Sequence, residues 1–77
     1  MGTRAYILIE TQVGMSRTVA ASLQSFDKVE NVDVITGPFD VIALIEAADM
    51  AAVADMVTGQ VQGLKGVART ITCVAAG

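Results

Sequence analysis

The stretch "VITGPFDVIALIE", Val34 to Glu46, joins two apolar runs through Gly-Pro-Phe-Asp. Two short runs rich in β-branched residues, separated by a Gly/Pro turn, read as an antiparallel hairpin. Gly37 supplies the positive φ of a tight turn, and Pro38 fixes its own φ near about −65°. Asp40 is placed to accept hydrogen bonds from loop amides, as turn aspartates do. Upstream, "ENVDVIT" (30–36) alternates Val32, Val34 and Thr36 against Asp33 and Ile35. Downstream, "DVIALIE" (40–46) is apolar at every position between Asp40 and Glu46, so both of its faces seek burial.

On the N-terminal side, "RAYILIE" (4–10) is short and β-branched, which predicts a strand. Gly14 then precedes "MSRTVAASLQSF", where Met15, Val19, Leu23 and Phe26 recur at spacings of four, four and three, one face of a helix. On the C-terminal side, Asp49 can cap a second helix by accepting a bond from an orphan amide. Met50, Val53, Val57, Val61 and Leu64 form that helix's stripe. Gly59 interrupts it at a cost of up to about 1 kcal/mol relative to Ala, which predicts close packing against a neighbour. Gly63 and Gly66 end the helix before a last strand, "VARTITCVA" (67–75). The halves echo one another. "LIE" stands at 8–10 and 44–46, Met15 and Met50 open the two helical stripes, and Val32 and Val67 open the following strands, an offset of 35 to 36 residues. Two βαβ units with right-handed crossovers give a ferredoxin-like βαββαβ sandwich of the α+β class.

Side chains alternate across a sheet. Ala5, Ile7 and Ile9 oppose Tyr6 and Leu8 in the first strand, and Val41, Ala43 and Ile45 oppose Ile42 and Leu44 in the third. Both central strands are therefore apolar on two faces, while two helices can cover only one. A second copy's sheet is the simplest cover, so a face-to-face homodimer is expected. Composition agrees: 77 residues make one domain, and 53% hydrophobic residues with a mean hydropathy of +0.60 exceed what so small a monomer can hide.

Several classes are excluded or disfavoured. Five basic residues, Arg4, Arg17, Lys28, Lys65 and Arg69, are scattered in a chain of net charge −3, which argues against direct nucleic-acid binding. No apolar run reaches the roughly 18 residues of a membrane span. "MGTRAY" carries Tyr6 where a myristoylation motif needs Ser or Thr. The single cysteine, Cys73, forms no internal disulfide and suits a reducing cytoplasm; it reads as a small buried hydrophobe. Without histidine, a Cys–His nucleophile, a His-ligated zinc and imidazole base chemistry are unavailable. No cofactor or metal is expected. Glu10 and Glu46 occupy equivalent places but close strands where solvated charge is ordinary.

The order of elements, "VDVITGPFDVIALIEAADM" and the ending "VQGLKGVARTITCVA" resemble the effector-binding domain of the Lrp/AsnC regulators, the module of amino-acid-metabolism regulation. The resemblance runs from Tyr6 to Val74. Its most specific parts are Gly37 with Asp40 and the ending formed by Gly66, Val67, Thr70 and Thr72. Family members usually carry an N-terminal helix-turn-helix domain; nothing precedes Thr3 that could form one, so the resemblance implies a stand-alone module over residues 1–77. It further implies a dimeric α/β barrel, assembly of dimers into rings such as octamers, and an amino-acid effector held between dimers. Docking to full-length Lrp/AsnC regulators fits the same picture.

Two readings of the opening stretch stand side by side. In one it is a turn only. In the other, Thr36, Gly37, Phe39 and Asp40 also hold the effector: backbone amides at Gly37 take an α-carboxylate, Asp40 pairs with an α-ammonium, and Phe39 walls an aliphatic side chain. Thr70 and Thr72, on one face of the last strand, either express ordinary β-propensity or offer hydroxyls to the effector or its waters. Arg69 faces the other way, as a solvated or inter-subunit charge. A non-enzymatic amino-acid sensor, a structural adaptor without a small ligand, and a small dimeric α/β-barrel enzyme are the competing functions.

Overall fold

β1 spans Thr3–Thr11, α1 Ser16–Gln24, β2 Val29–Val34, β3 Val41–Ala47, α2 Met50–Met56 and β4 Val67–Val74 in a computed structural model that describes residues 2–77. The strands form one antiparallel sheet in the order β2-β3-β1-β4. This is the ferredoxin-like βαββαβ arrangement the sequence predicts.

Strand alternation builds the core. Ala5, Ile7 and Ile9 pair with Ile45, Ala43 and Val41, and all six side chains are buried on the helical side. Val19, Ala20 and Leu23 of α1 close over them, as do Val53 and Met56 of α2 with Val57 and Val61 beyond it. Full burial of each large aliphatic side chain contributes about 1.5–3 kcal/mol. The helices lie over β1, β2 and β3 and leave β4 largely bare.

The helix ends differ. The Asp49 carboxylate accepts from the Ala52 amide at 2.8 Å, the expected cap of α2. Met15 occupies the corresponding position before α1 and gives no side-chain cap. The sequence reads 50–64 as one helix, but α2 stops at Met56 and Val57–Val61 forms a π-helical segment, closed by Gln62 N donating to Val57 O at 2.8 Å. The apolar spacing explains the change. In an α-helix, residues four apart drift by about 40° around the axis, so Val61 would leave the face set by Val53. The wider π turn reverses that drift. Val53, Val57 and Val61 all stay buried.

Three details depart from expectation. Met50 is 64% exposed and lies off the stripe, because it opens the helix at the sheet's margin. Beyond its own helix and chain neighbours, a Cβ at Gly59 would meet nothing within 4 Å, so no close packing within the protomer accounts for that glycine. Gly66 is the tightly packed one: its φ is +97°, and a Cβ there would stand 2.9 Å from both Cβ and Cε of Met15. Finally, Cys73 is exposed rather than buried, because it pairs with Tyr6 on the sheet face that no helix covers.

That uncovered face has an ordered composition. Tyr6, Leu8, Ile42, Leu44, Ile71 and Cys73 occupy its centre, by the pairings Tyr6–Leu44, Leu8–Ile42, Leu8–Ile71 and Tyr6–Cys73. Arg4, Glu46, Asn31, Asp33, Glu10 and Arg69 surround them. An apolar centre inside a polar rim is the anatomy of a protein–protein interface.

Candidate functional site

The β2–β3 hairpin is held from within and from across the sheet. Gly37 has φ +140° with open space where a side chain would stand, so the turn requires a glycine at this position. Ile35 N donates to Asp40 O, and Asp40 N donates to Ile9 O, both at 2.9 Å. The Asp40 carboxylate finds its partners on β1: Oδ2 accepts from the Thr11 amide at 2.8 Å and from the Thr11 hydroxyl at 3.2 Å. Thr11 Oγ1 lies 3.2 Å from the Ser16 hydroxyl at the head of α1. Asp40 thus serves an amide as expected, but not one of its own loop. β1 runs past the hairpin and brings Thr11 within reach.

Phe39 is half-buried, and the Arg69 guanidinium lies 5.4 Å from its ring centroid. Arg69 Nε also stands 3.5 Å from Glu10 Oε1. With both charged side chains about half exposed or more, the ion pair contributes roughly 0–1 kcal/mol. The stacking adds about 0.5–1 kcal/mol. Their effect is mainly to fix Phe39 relative to β4.

Thr70 and Thr72 pair with Ile9 and Ile7 and so lie on the helical side of the sheet, opposite Arg69. Because β4 is bare, Thr72 is exposed and Thr70 only half-buried. Gln62, which follows the π-helical segment, donates from Nε2 to Thr70 Oγ1 at 3.0 Å.

Thr36, Gly37, Phe39 and Asp40 therefore gather at one end of the sheet. Thr70 lies at the same level, with β1 between it and Asp40, a separation of about 10 Å by strand spacing. Thr72 is about 7 Å deeper along β4. None of the six lines either of two cavities formed by the described residues. A groove of about 530 Å³ opens between the C-terminal end of α1 and α2, over Phe26 and Met56. A second, of about 360 Å³, lies at the far end beside Arg4, Met50 and Val74. Glu46 pairs with Arg4, six residues from Glu10 on β1, which puts the two glutamates about 20 Å apart. They cannot share a reacting atom within one protomer.

Sequence reasoning missed Thr11, Ser16 and Gln62, and it read Arg69 as a solvated or inter-subunit charge without its contacts to Phe39 and Glu10. Thr11 lies 29 residues from Asp40, so no local pattern connects them. The available signal was register: a strand pairing that sets Ile9 opposite Val41 carries Thr11 past the hairpin beside Asp40.

The family described as the Lrp/AsnC ligand binding domain matches residues 4–76. Among solved structures, TTHA0845 from Thermus thermophilus is similar at 29% identity and a TM-score of 0.92, covering 97% of this chain and 94% of that one. Escherichia coli AsnC shares the fold at 17% identity and a TM-score of 0.91, covering 97% of this chain and 51% of that one. A transcriptional regulator of Neisseria meningitidis, NMB0573, solved as an L-Met complex, shares it at 21% identity and a TM-score of 0.87, covering 97% and 50%. No curated protein gave a match. The family match spans nearly the whole chain and agrees with the observed topology: this protein belongs to the Lrp/AsnC ligand-binding domain family.

Proposed function

We propose that this protein is a non-enzymatic effector-binding module whose ligand is an amino acid and whose response is a change in assembly. The family match over residues 4–76 carries the reading. The hairpin supports it with a glycine turn that leaves backbone open beside Asp40 and an aromatic wall at Phe39. The sequence has no His, and among the described residues the buried core holds no polar side chain; both argue against turnover chemistry.

In this reading the effector sits between protomers. Thr36, Gly37, Phe39 and Asp40 meet at a sheet end, Thr70 and Thr72 lie on a bare strand beside it, and neither of the two cavities includes them. A homodimer through the uncovered sheet face, giving a dimeric α/β barrel, and rings of dimers such as octamers would supply the missing walls. Partners made of the same domain, the full-length Lrp/AsnC regulators, fit the same surfaces, and a cytoplasmic setting fits the lone free thiol.

L-methionine is the first candidate to test, because the Neisseria regulator was solved with it. Thermal shift against the twenty amino acids should show at least one ligand at millimolar concentration raising the melting point, since binding only the native state stabilises it. Twenty flat responses would remove the sensing role. The adaptor reading would then lead, and one observation favours it already: Asp40 Oδ2 is satisfied by Thr11 without any ligand.

A further inference from the structure

We propose that Thr11 is a positioning residue for Asp40. It holds Oδ2 so that Oδ1 alone is presented to a cationic group of the effector, and through Ser16 it ties that acceptor to the first turn of α1. The inference rests on the effector-binding reading above.

Donor counting fixes the direction of the network. A carboxylate only accepts, and a threonine hydroxyl has one hydrogen to give. Thr11 gives that hydrogen to Asp40 Oδ2 at 3.2 Å, so the hydrogen in its 3.2 Å contact with Ser16 comes from Ser16. The chain runs from Ser16 O–H to Thr11 O–H to Asp40. The Thr11 amide, at 2.8 Å, is a second donor to the same oxygen. Two donors on one oxygen fix the rotation of the carboxyl group. Oδ1 accepts no hydrogen bond among the described residues, and no buried side-chain oxygen among them lacks a partner, so Oδ1 faces solvent. Ser16 is the first residue of α1, a helix without a side-chain cap, so its hydroxyl is available to Thr11.

The test is calorimetry with L-methionine, or with whichever of the twenty amino acids shifts the melt most, alongside the matching acid that lacks the α-amine (4-(methylsulfanyl)butanoate for methionine). Losing a hydrogen bond to a charged group, Thr11→Val should weaken amino-acid binding about tenfold, and Thr11→Ser should restore it to within about twofold. Binding of the deaminated acid should be unchanged in both, because it has no cation for Oδ1. Ser16→Ala should cause a smaller loss that disappears when Thr11 is already valine, since the relay is then broken between Ser16 and Asp40. The proposal is overturned if Thr11→Val weakens both ligands equally, if it leaves amino-acid affinity intact, or if the Thr11 and Ser16 effects simply add. Urea unfolding of Thr11→Val, Asp40→Ala and the double variant separates this from failure of the underlying reading. If no amino acid binds the wild-type protein but the two substitutions are coupled in stability, the network is a structural brace and the positioning role is refuted along with the sensor.

Discussion

Two glycines with positive φ show how differently the same residue type can be required. At Gly37 the demand is conformational alone, because φ is +140° and nothing lies within 4 Å of a Cβ placed there. Gly37→Ala should therefore cost about 1–3 kcal/mol, the range for a strained backbone position. At Gly66 the same kind of backbone demand coincides with contact at 2.9 Å to Met15 and 3.1 Å to Val19 Cγ2. Met15 Cε can swing aside, but Met15 Cβ is fixed to the backbone, so Gly66→Ala should lose clearly more than Gly37→Ala. Urea midpoints of the two variants decide the order, and equal losses would show that the Met15 contact relaxes freely. Gly37 was legible in the sequence because its partners in the turn are its neighbours. The partner of Asp40 was not, because a carboxylate says only that it will accept a bond, and the donor arrives from a strand 29 residues away.

The strands and α1 were readable almost to their ends, since period-2 and period-3.6 patterns report directly on which side chains are buried. The second helix was legible in position but not in geometry. Valines four apart satisfy an α-helix and a π turn alike, and only the requirement that Val53, Val57 and Val61 share one buried face selects the wider turn. Gly59 lies inside that turn, exposed and unpacked. Gly59→Ala should then raise stability by up to about 1 kcal/mol through reduced freedom of the unfolded chain. Thermal melts would check this, and a loss of stability would indicate that the turn needs a glycine for conformational reasons. The candidate site was only half visible at this scale. Its residues lie on β2–β3 and β4, two elements whose relation depends on how far β1 extends between them.

At the scale of the whole molecule the uncovered sheet face is the dominant fact. Its apolar centre spans β3, β1 and β4, and charges occupy its margin. Leu8→Lys puts an ammonium at that centre, where the isolated protomer can solvate it but a facing sheet cannot. If the proposed face-to-face dimer forms, sedimentation velocity should show the wild type associated and the variant dissociated at micromolar concentration with the circular dichroism spectrum unchanged; a monomeric wild type or an unaltered assembly would overturn that dimer. That one sheet face carries no helix was legible from two-sided hydrophobicity and only two helical stripes, whereas what meets that face was not, because the sequence of one chain does not record a facing surface. The last strand, β4, is bonded to β1 on a single edge, and the helices leave it largely bare. In the proposed face-to-face dimer, the cover over its outer side would obey mass action: dilution would remove it, and expression level would set the fraction of chains that have it. A protein assembled in that way would meter its own abundance, because the strand that carries Thr70 and Thr72 would be backed by a partner sheet only when enough copies are at hand.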